Sequence, residues 1–451
     1  MGRKLLERYS YIKQSLAILA VFVVMGCAKE QEIIPDLDVR LTNAMVAASE
    51  GNGLEFYVLP ASSDFASIPQ DPANKLTTEK VELGKLLFHE TGLASKTIQI
   101  AGELSYSCAS CHHSRAGFQA GLRQSLGDGG VGFGIAGEGR VKSALYSSNE
   151  IDAPHTKSPS IMNIAYQSNV LWNGQFGAGG VNIGTEDSWT LNTPKEDNFL
   201  GFEGTETQAI AALAVHRMEA ENSLCNSNVD YLALYEAAFP NEPVTKITTG
   251  LAIAAYERTV LANQAPFQQW LQGDKSALSE QEKEGALLFF TKGRCYECHN
   301  GQALNSMKFY ALGMKDLEGP SVFGVDVKDD AKNGRGGFTN NDSDLYKFKV
   351  PQLYNMKDSP FYGHGGTFTT IRSIVAYKNI AHSENSNVDV SRLASGFVPL
   401  NLSAEEIDQL TLFLSDALYD PNLDRYVPGV LPSGLCFPNN DQQSKQDLGC
   451  N

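Results

Sequence analysis

Four of the eight cysteines in this 451-residue chain fall in two copies of one pattern, Cys108-Ala-Ser-Cys111-His112 and Cys295-Tyr-Glu-Cys298-His299. Two thiols one helical turn apart can form thioether bonds to the two vinyl groups of a haem, and the adjacent histidine then reaches the iron. With eight Cys and eight His in the chain, one such pattern arises by chance on the order of 0.003 times, so a pair is a specific signal. Other chemistries fit less well. A zinc site needs a second ligand pair at short spacing, and these motifs lie far apart, each with its own His. A thioredoxin-type dithiol expects a βαβ setting, and a disulfide between cysteines two residues apart is strained. Cys108, Cys111, Cys295 and Cys298 are therefore read as attachment points for two covalently bound haem c groups, with His112 and His299 as iron ligands. Cys225, Cys436 and Cys450 allow at most one disulfide among them, and its pairing stays open.

Helices must present these motifs. Val81-Glu-Leu-Gly-Lys-Leu-Leu-Phe88 precedes the first and Lys283-Glu-Gly-Ala-Leu-Leu-Phe289 the second, which reads as a duplicated unit of a helix leading into a cysteine motif. Ser279 with Glu282 forms a capping box before the second helix. Ser403 with Glu406 opens a further helix, whose Ile407, Leu410 and Leu414 share one face. Strand-like alternation is scarce, so the chain is expected to be all-α. Residues 127–140 and 330–343, rich in Gly and Asn, read as long surface loops. Residues 28–55 lack sustained periodicity and read as a spacer.

Composition narrows the function classes. The formal charge is −16, with 42% hydrophobic residues, so a nucleic-acid partner is not expected, and an acidic surface suits docking to a basic protein. Basic residues at 3–13, the apolar run Ser15–Met25 and Gly26-Cys27 form a secretory leader, too short to span a bilayer. Val24-Met-Gly-Cys27 resembles a bacterial lipoprotein cleavage box, which would make Cys27 the lipidated first residue of a periplasmic protein. Ala28 points that anchor to the outer membrane.

Beyond the two motifs, the chain resembles the bacterial di-haem cytochrome c peroxidase family, which includes the enzyme MauG. The resemblance covers roughly residues 78–420. It rests on Leu83-Gly-Lys-Leu-Leu-Phe88, Ser107 to His113 with Ala116-Gly-Phe118, Pro159-Ser-Ile-Met-Asn-Ile-Ala-Tyr166 and Trp172-Asn-Gly174. In the second half it rests on Gly301, Gly334-Arg-Gly336, Phe348-Lys-Val-Pro351 and His364-Gly-Gly366.

The resemblance implies two cytochrome c-like haem domains with long loops. They would span 56–275, holding the peroxidatic haem, and 276–430, holding the electron-transfer haem, between a leader (1–26) with its spacer (27–55) and a tail (431–451). It implies a peroxidase that reduces hydrogen peroxide with electrons from a small periplasmic donor, a c-type cytochrome or a cupredoxin. A MauG-like oxidase of a protein or organic substrate is the alternative, and a non-catalytic electron carrier the lesser one. Trp172 would help electrons cross between the haems. A distal acid–base group is required, and the family's Glu falls within Glu206 to Glu219, making Glu219 the first candidate and His216 the second. The family's distal His is replaced in Ser125-Leu-Gly-Asp128, so an open site is expected, with His155 as a substitute ligand. For the sixth ligand of the second haem Tyr377 is taken first, then Lys378, His382 and Met356. Thr156-Lys-Ser-Pro159 replaces the family's Arg-Asn-x-Pro calcium segment, which disfavours calcium. Whether the protein dimerises is open.

Overall fold

The computed structural model describes residues 36–326 and 328–450; the leader and Cys27 lie outside the described residues. Helices follow in chain order as α1 (Leu37–Ala48), α2 (Thr78–His89), α3 (Gly204–Val215), α4 (Val229–Ala238), α5 (Lys246–Thr259), α6 (Pro266–Leu271), α7 (Glu280–Phe290), α8 (Arg335–Thr339), α9 (Ile371–Ile380), α10 (Ala404–Leu412) and α11 (Gln442–Leu448). Short 3-10 turns connect them. Two antiparallel strand pairs complete the set: β1 (Gly130–Val131) with β2 (Val141–Lys142), and β3 (Phe309–Tyr310) with β4 (Phe348–Lys349). The molecule is helix-rich, as the scarcity of alternation predicts.

The duplicated unit of the sequence is a duplicated packing. Helix α2 starts at Thr77, whose side chain accepts from the Lys80 amide, and α7 and α10 start at the expected Ser279–Glu282 and Ser403–Glu406 boxes. Each cap is worth about 1 kcal/mol. The apolar face of α2, with Leu83, Leu87 and Phe88 fully buried, packs across α5, and α7 packs across α10 in the same manner. Each of those side chains contributes roughly 1.5–3 kcal/mol by leaving water. Glycine makes both crossings. A Cβ on Gly84 would lie 1.9 Å from the Ala252 carbonyl oxygen, and one on Gly285 would lie 2.1 Å from that of Gln409. Helices α3 and α4 join the first group, while α1 and α9 join the second. The α6 turn also faces the second group, since Phe267 meets Phe413 edge-on at 5.3 Å.

Three expectations are corrected. The supposed spacer holds α1, because Leu37, Leu41, Met45 and Ala48 recur at helical spacing and are buried. That helix is fastened by Lys283 Nζ donating to Asp38 at 3.0 Å and by Trp270 Nε1 donating to the same carboxylate at 2.6 Å. The stretch 127–140 is not a surface loop in its first half: Gly127–Gly130 and Phe133 are buried, with Asp128 accepting from Arg217 at 2.7 Å and from the Tyr146 hydroxyl at 2.6 Å. The segment 431–451 returns to the first group, where a Cys436–Cys450 disulfide and α11 hold it. Asp447 accepts there from the Phe133 and Gly134 amides, and the Asn440 amide donates to Ser105 O. Cys225 is the free, buried member of the three open cysteines.

Candidate functional site

One cavity of about 1270 Å³ reaches both cysteine motifs, and Cys108, Cys111, His112, Cys295, Cys298 and His299 all line it. That exceeds the roughly 300–1,000 Å³ of a single small-ligand site. Each motif begins a one-turn helix, Cys108–Ser110 and Cys295–Glu297, which sets the two thiols and the His on one turn; the second follows closely on α7, while two short turns separate the first from α2. All four thiols are free of disulfides. Burial pushes them above the ordinary thiol range, Cys111 to about 11 and Cys295 to about 12. A redox dithiol needs the opposite shift.

The two imidazoles are set up alike. His112 Nδ1 faces Phe118 O at 3.3 Å, and His299 Nδ1 faces Leu304 O at 3.1 Å and Pro351 O at 3.0 Å. A carbonyl only accepts, so Nδ1 carries the proton and Nε2 keeps its lone pair for a metal. Burial lowers both histidines to about 4, so they are neutral near pH 7. Free paired thiols, oriented neutral imidazoles and an enclosing cavity with room for two groups fit covalently held haem at each motif.

Around His112 the structure separates the two distal candidates. Helix α3 ends at Val215; His216 is its cap and Arg217 turns the chain with φ +55°. His216 therefore lines the cavity, close enough for its charge to bear on His112. Its Nδ1 lies 2.9 Å from Asp152 Oδ2, and the Tyr106 hydroxyl donates to its carbonyl at 2.7 Å. Burial alone would lower the His216 pKa, but the Asp152 carboxylate outweighs this and holds it above the ordinary histidine value. Glu219 is carried past the turn and away from the cavity. It accepts from Lys96 at 2.7 Å and Asn222 at 2.9 Å, and the Lys96 bond holds its carboxyl below the usual range. Of the two distal candidates, His216 lines the cavity and Glu219, the first-ranked one, does not. His155 stands at the cavity wall, half-exposed and 2.5 Å from Asp329.

Around His299 the sixth-ligand candidates are likewise separated by position. Tyr377 is buried beside Phe368 and Phe397, its hydroxyl donates to Leu312 O, and it does not line the cavity. The next residue along α9 points roughly 100° away, and Lys378 lines the cavity, its charge felt by Cys295, Cys298 and His299. Burial lowers Lys378 to about 8, against the pull of the two cysteines. His382 is exposed and lies outside the cavity, whereas Met356 is on its wall.

Trp172 lines the same cavity. Its indole N–H donates to Lys157 O at 2.7 Å, its carbonyl accepts from the Lys349 amide at 2.8 Å, and its ring meets His364 edge-on at 6.4 Å. Sequence reasoning missed Glu257, a lone acid on the apolar α5, buried with Oε2 unpartnered at the cavity wall. Burial foremost, then the Glu206 charge, raises it to about 8 against the pull of Arg258. The signal was present in Ala254-Ala-Tyr-Glu-Arg258, where an acid interrupts an apolar helix.

Residues 78–276 match the model of the di-haem cytochrome c peroxidase family. The chain is 26% identical over 358 residues to the methylamine utilization protein MauG of Methylorubrum extorquens, covering 79% of this chain and 82% of that one. It is 28% identical over 337 residues to a cytochrome c551 peroxidase of Nitrosomonas europaea, covering 73% of this chain and 83% of that one. A solved MauG-like protein associated with microbial copper homeostasis shares the fold, with a TM-score of 0.55 and 21% identity over 81% of this chain and 95% of that one.

Proposed function

We propose, on the premise that the chain belongs to the di-haem cytochrome c peroxidase and MauG family, that it is a peroxidase reducing hydrogen peroxide to water with electrons from a small donor protein. Haem bound at His112 would supply the iron that takes up peroxide, and haem at His299 would deliver the electrons. The observation that carries the reading is a protein base on the wall of the first site: His216 Nε2, with Nδ1 held by Asp152.

Cleaving peroxide to water requires its proton to move from one oxygen to the other. His216 Nε2 is the atom that takes the proton and returns it, while Asp152 fixes the tautomer. Asp128, locked to Arg217 and Tyr146, cannot close the site as a ligand, so peroxide has access. Trp172 spans the two halves through its bonds to Lys157 and Lys349 and provides an aromatic path for electrons. Lys378, on the cavity wall near His299, is the side chain that would be available to help hold the group at the second site. Cys27 anchors the protein by lipid in the periplasm, where an acidic surface meets a basic donor; labelled palmitate should join the wild type and not Cys27→Ala.

Serine pairs at the two motifs test the assignment of roles. Cys108→Ser with Cys111→Ser should lose one haem and all reaction with peroxide. Cys295→Ser with Cys298→Ser should lose one haem and donor-linked turnover, while the first site still meets peroxide. The reverse pattern would refute the assignment.

A further inference from the structure

Two lysines are buried on the wall of the cavity at Trp172, and neither has an anion among the described residues. Lys157 is 2% exposed, and its ammonium donates to the Gln119 amide oxygen and, at 3.4 Å, to Ser158 O. Lys349 is 6% exposed and donates to the Gln167 amide oxygen. Both line the cavity. Trp172 ties their backbones together, accepting from the Lys349 amide and donating to the Lys157 carbonyl.

Three of the other buried cations are matched by carboxylates, whereas Arg335, away from the cavity, is held by the Asn182 amide oxygen and backbone carbonyls. Arg258 is held by Glu203 at 2.9 Å and by Glu206 at 2.5 Å, Arg140 by Asp441 at 3.5 Å and Lys283 by Asp38 at 3.0 Å. An ammonium taken from water without a counter-ion loses its hydration with no charge to offset the loss. An amide oxygen offers a dipole and no charge, and burial accordingly drags both lysines down to about 7. Two such groups on one cavity wall call for two anions inside it.

We infer that Lys157 and Lys349 are the counter-ions for the carboxylates of the two haem groups, Lys157 for the group at His112 and Lys349 for the group at His299. The inference rests on the reading that the cavity holds two haems. Each haem carries two propionate carboxylates, and these are the anions that the bound groups would bring. The assignment of partners follows position. The charge of Lys157 bears on His112, and Lys349 lies two residues from Pro351, whose carbonyl orients His299. Protein charge then does at the Trp172 crossing what a divalent cation could do between two carboxylate groups.

The test is spectroelectrochemical titration of the purified two-haem protein, with haem content measured by the pyridine haemochrome. A carboxylate left without its cation favours the ferric state. Lys157→Met should therefore lower the midpoint potential of the first haem more than that of the second, and Lys349→Met the reverse. Lys157→Arg and Lys349→Arg should stay near wild type. Wild-type potentials should not respond to added calcium or to a chelator, a measurement that needs no variant. Unmoved potentials in Met variants carrying both haems would overturn this inference alone, as would a calcium-dependent wild type. Absence of covalent haem would overturn it together with the functional reading.

Discussion

The His216–Asp152 pair makes the sharpest quantitative claim. Asp152 Oδ2 lies 2.9 Å from His216 Nδ1, and two unit charges about 4 Å apart interact by about 4 kcal/mol at an effective dielectric of 20 but only about 1 kcal/mol in water. His216 is half-exposed, so solvent screening places the pair toward the lower figure. The sign follows from the shift. Asp152 stabilises the imidazolium and raises the His216 pKa, while Nε2 must be unprotonated to take the peroxide proton. The second-order rate with peroxide should thus fall as pH drops through a value above the ordinary histidine range. Asp152→Asn should move that acid limb to lower pH, because the amide oxygen keeps the Nδ1–H bond and loses the charge that raises the His216 pKa. His216→Gln should lower the rate by about 10²–10⁴-fold across the range, the usual contribution of a positioned acid–base group. Glu219→Gln should stay within about threefold of wild type. Stopped-flow mixing with peroxide from pH 5 to 9 reads all three. Full rate in His216→Gln, or an acid limb that Asp152→Asn leaves in place, would refute the reasoning.

Other outcomes follow from the same structure. Lys378→Met should give the low-spin haem a methionine charge-transfer band in near-infrared magnetic circular dichroism, and Tyr377→Phe should leave that spectrum unchanged; a wild-type spectrum in Lys378→Ala would exclude Lys378 as the ligand. Gly84→Ala and Gly285→Ala drive a methyl into a facing backbone carbonyl and should each lower stability by about 1–3 kcal/mol or more in thermal unfolding. Glu257 is raised to about 8 in the fold, so the folded state keeps a proton that the unfolded chain loses above roughly pH 4.3, and stability falls as pH rises between those values. Glu257→Gln should accordingly raise Tm relative to wild type at pH 8–9, with the gain shrinking toward pH 5.

Where a local rule acts, the sequence was informative. The Ser279 and Ser403 boxes start helices where hydroxyl and carboxylate can satisfy free amides, and the two cysteine motifs line one cavity because each follows a helix docked through an equivalent glycine. What escaped depends on single residues or distant contacts. The family's motif placed its Glu at Glu219, but the left-handed turn at Arg217 leaves His216 at the cavity and sends Glu219 to Lys96. Tyr377 and Lys378 are neighbours pointing to different sides of α9, so a one-residue register decides which meets the site. Helix α1 escaped because its four buried positions are spread through polar residues, and their partner α7 lies far along the chain. The return of the tail and the Cys436–Cys450 pairing are likewise non-local.

The central claim is tested most directly by steady-state oxidation of a reduced small c-type cytochrome by the two-haem protein produced without residues 1–27, with and without hydrogen peroxide. The account predicts fast turnover that requires peroxide and consumes two reduced cytochromes per peroxide. Negligible donor oxidation by protein carrying both haems, in a preparation whose first site still reacts with peroxide, would contradict it and favour a MauG-like oxidase of another substrate.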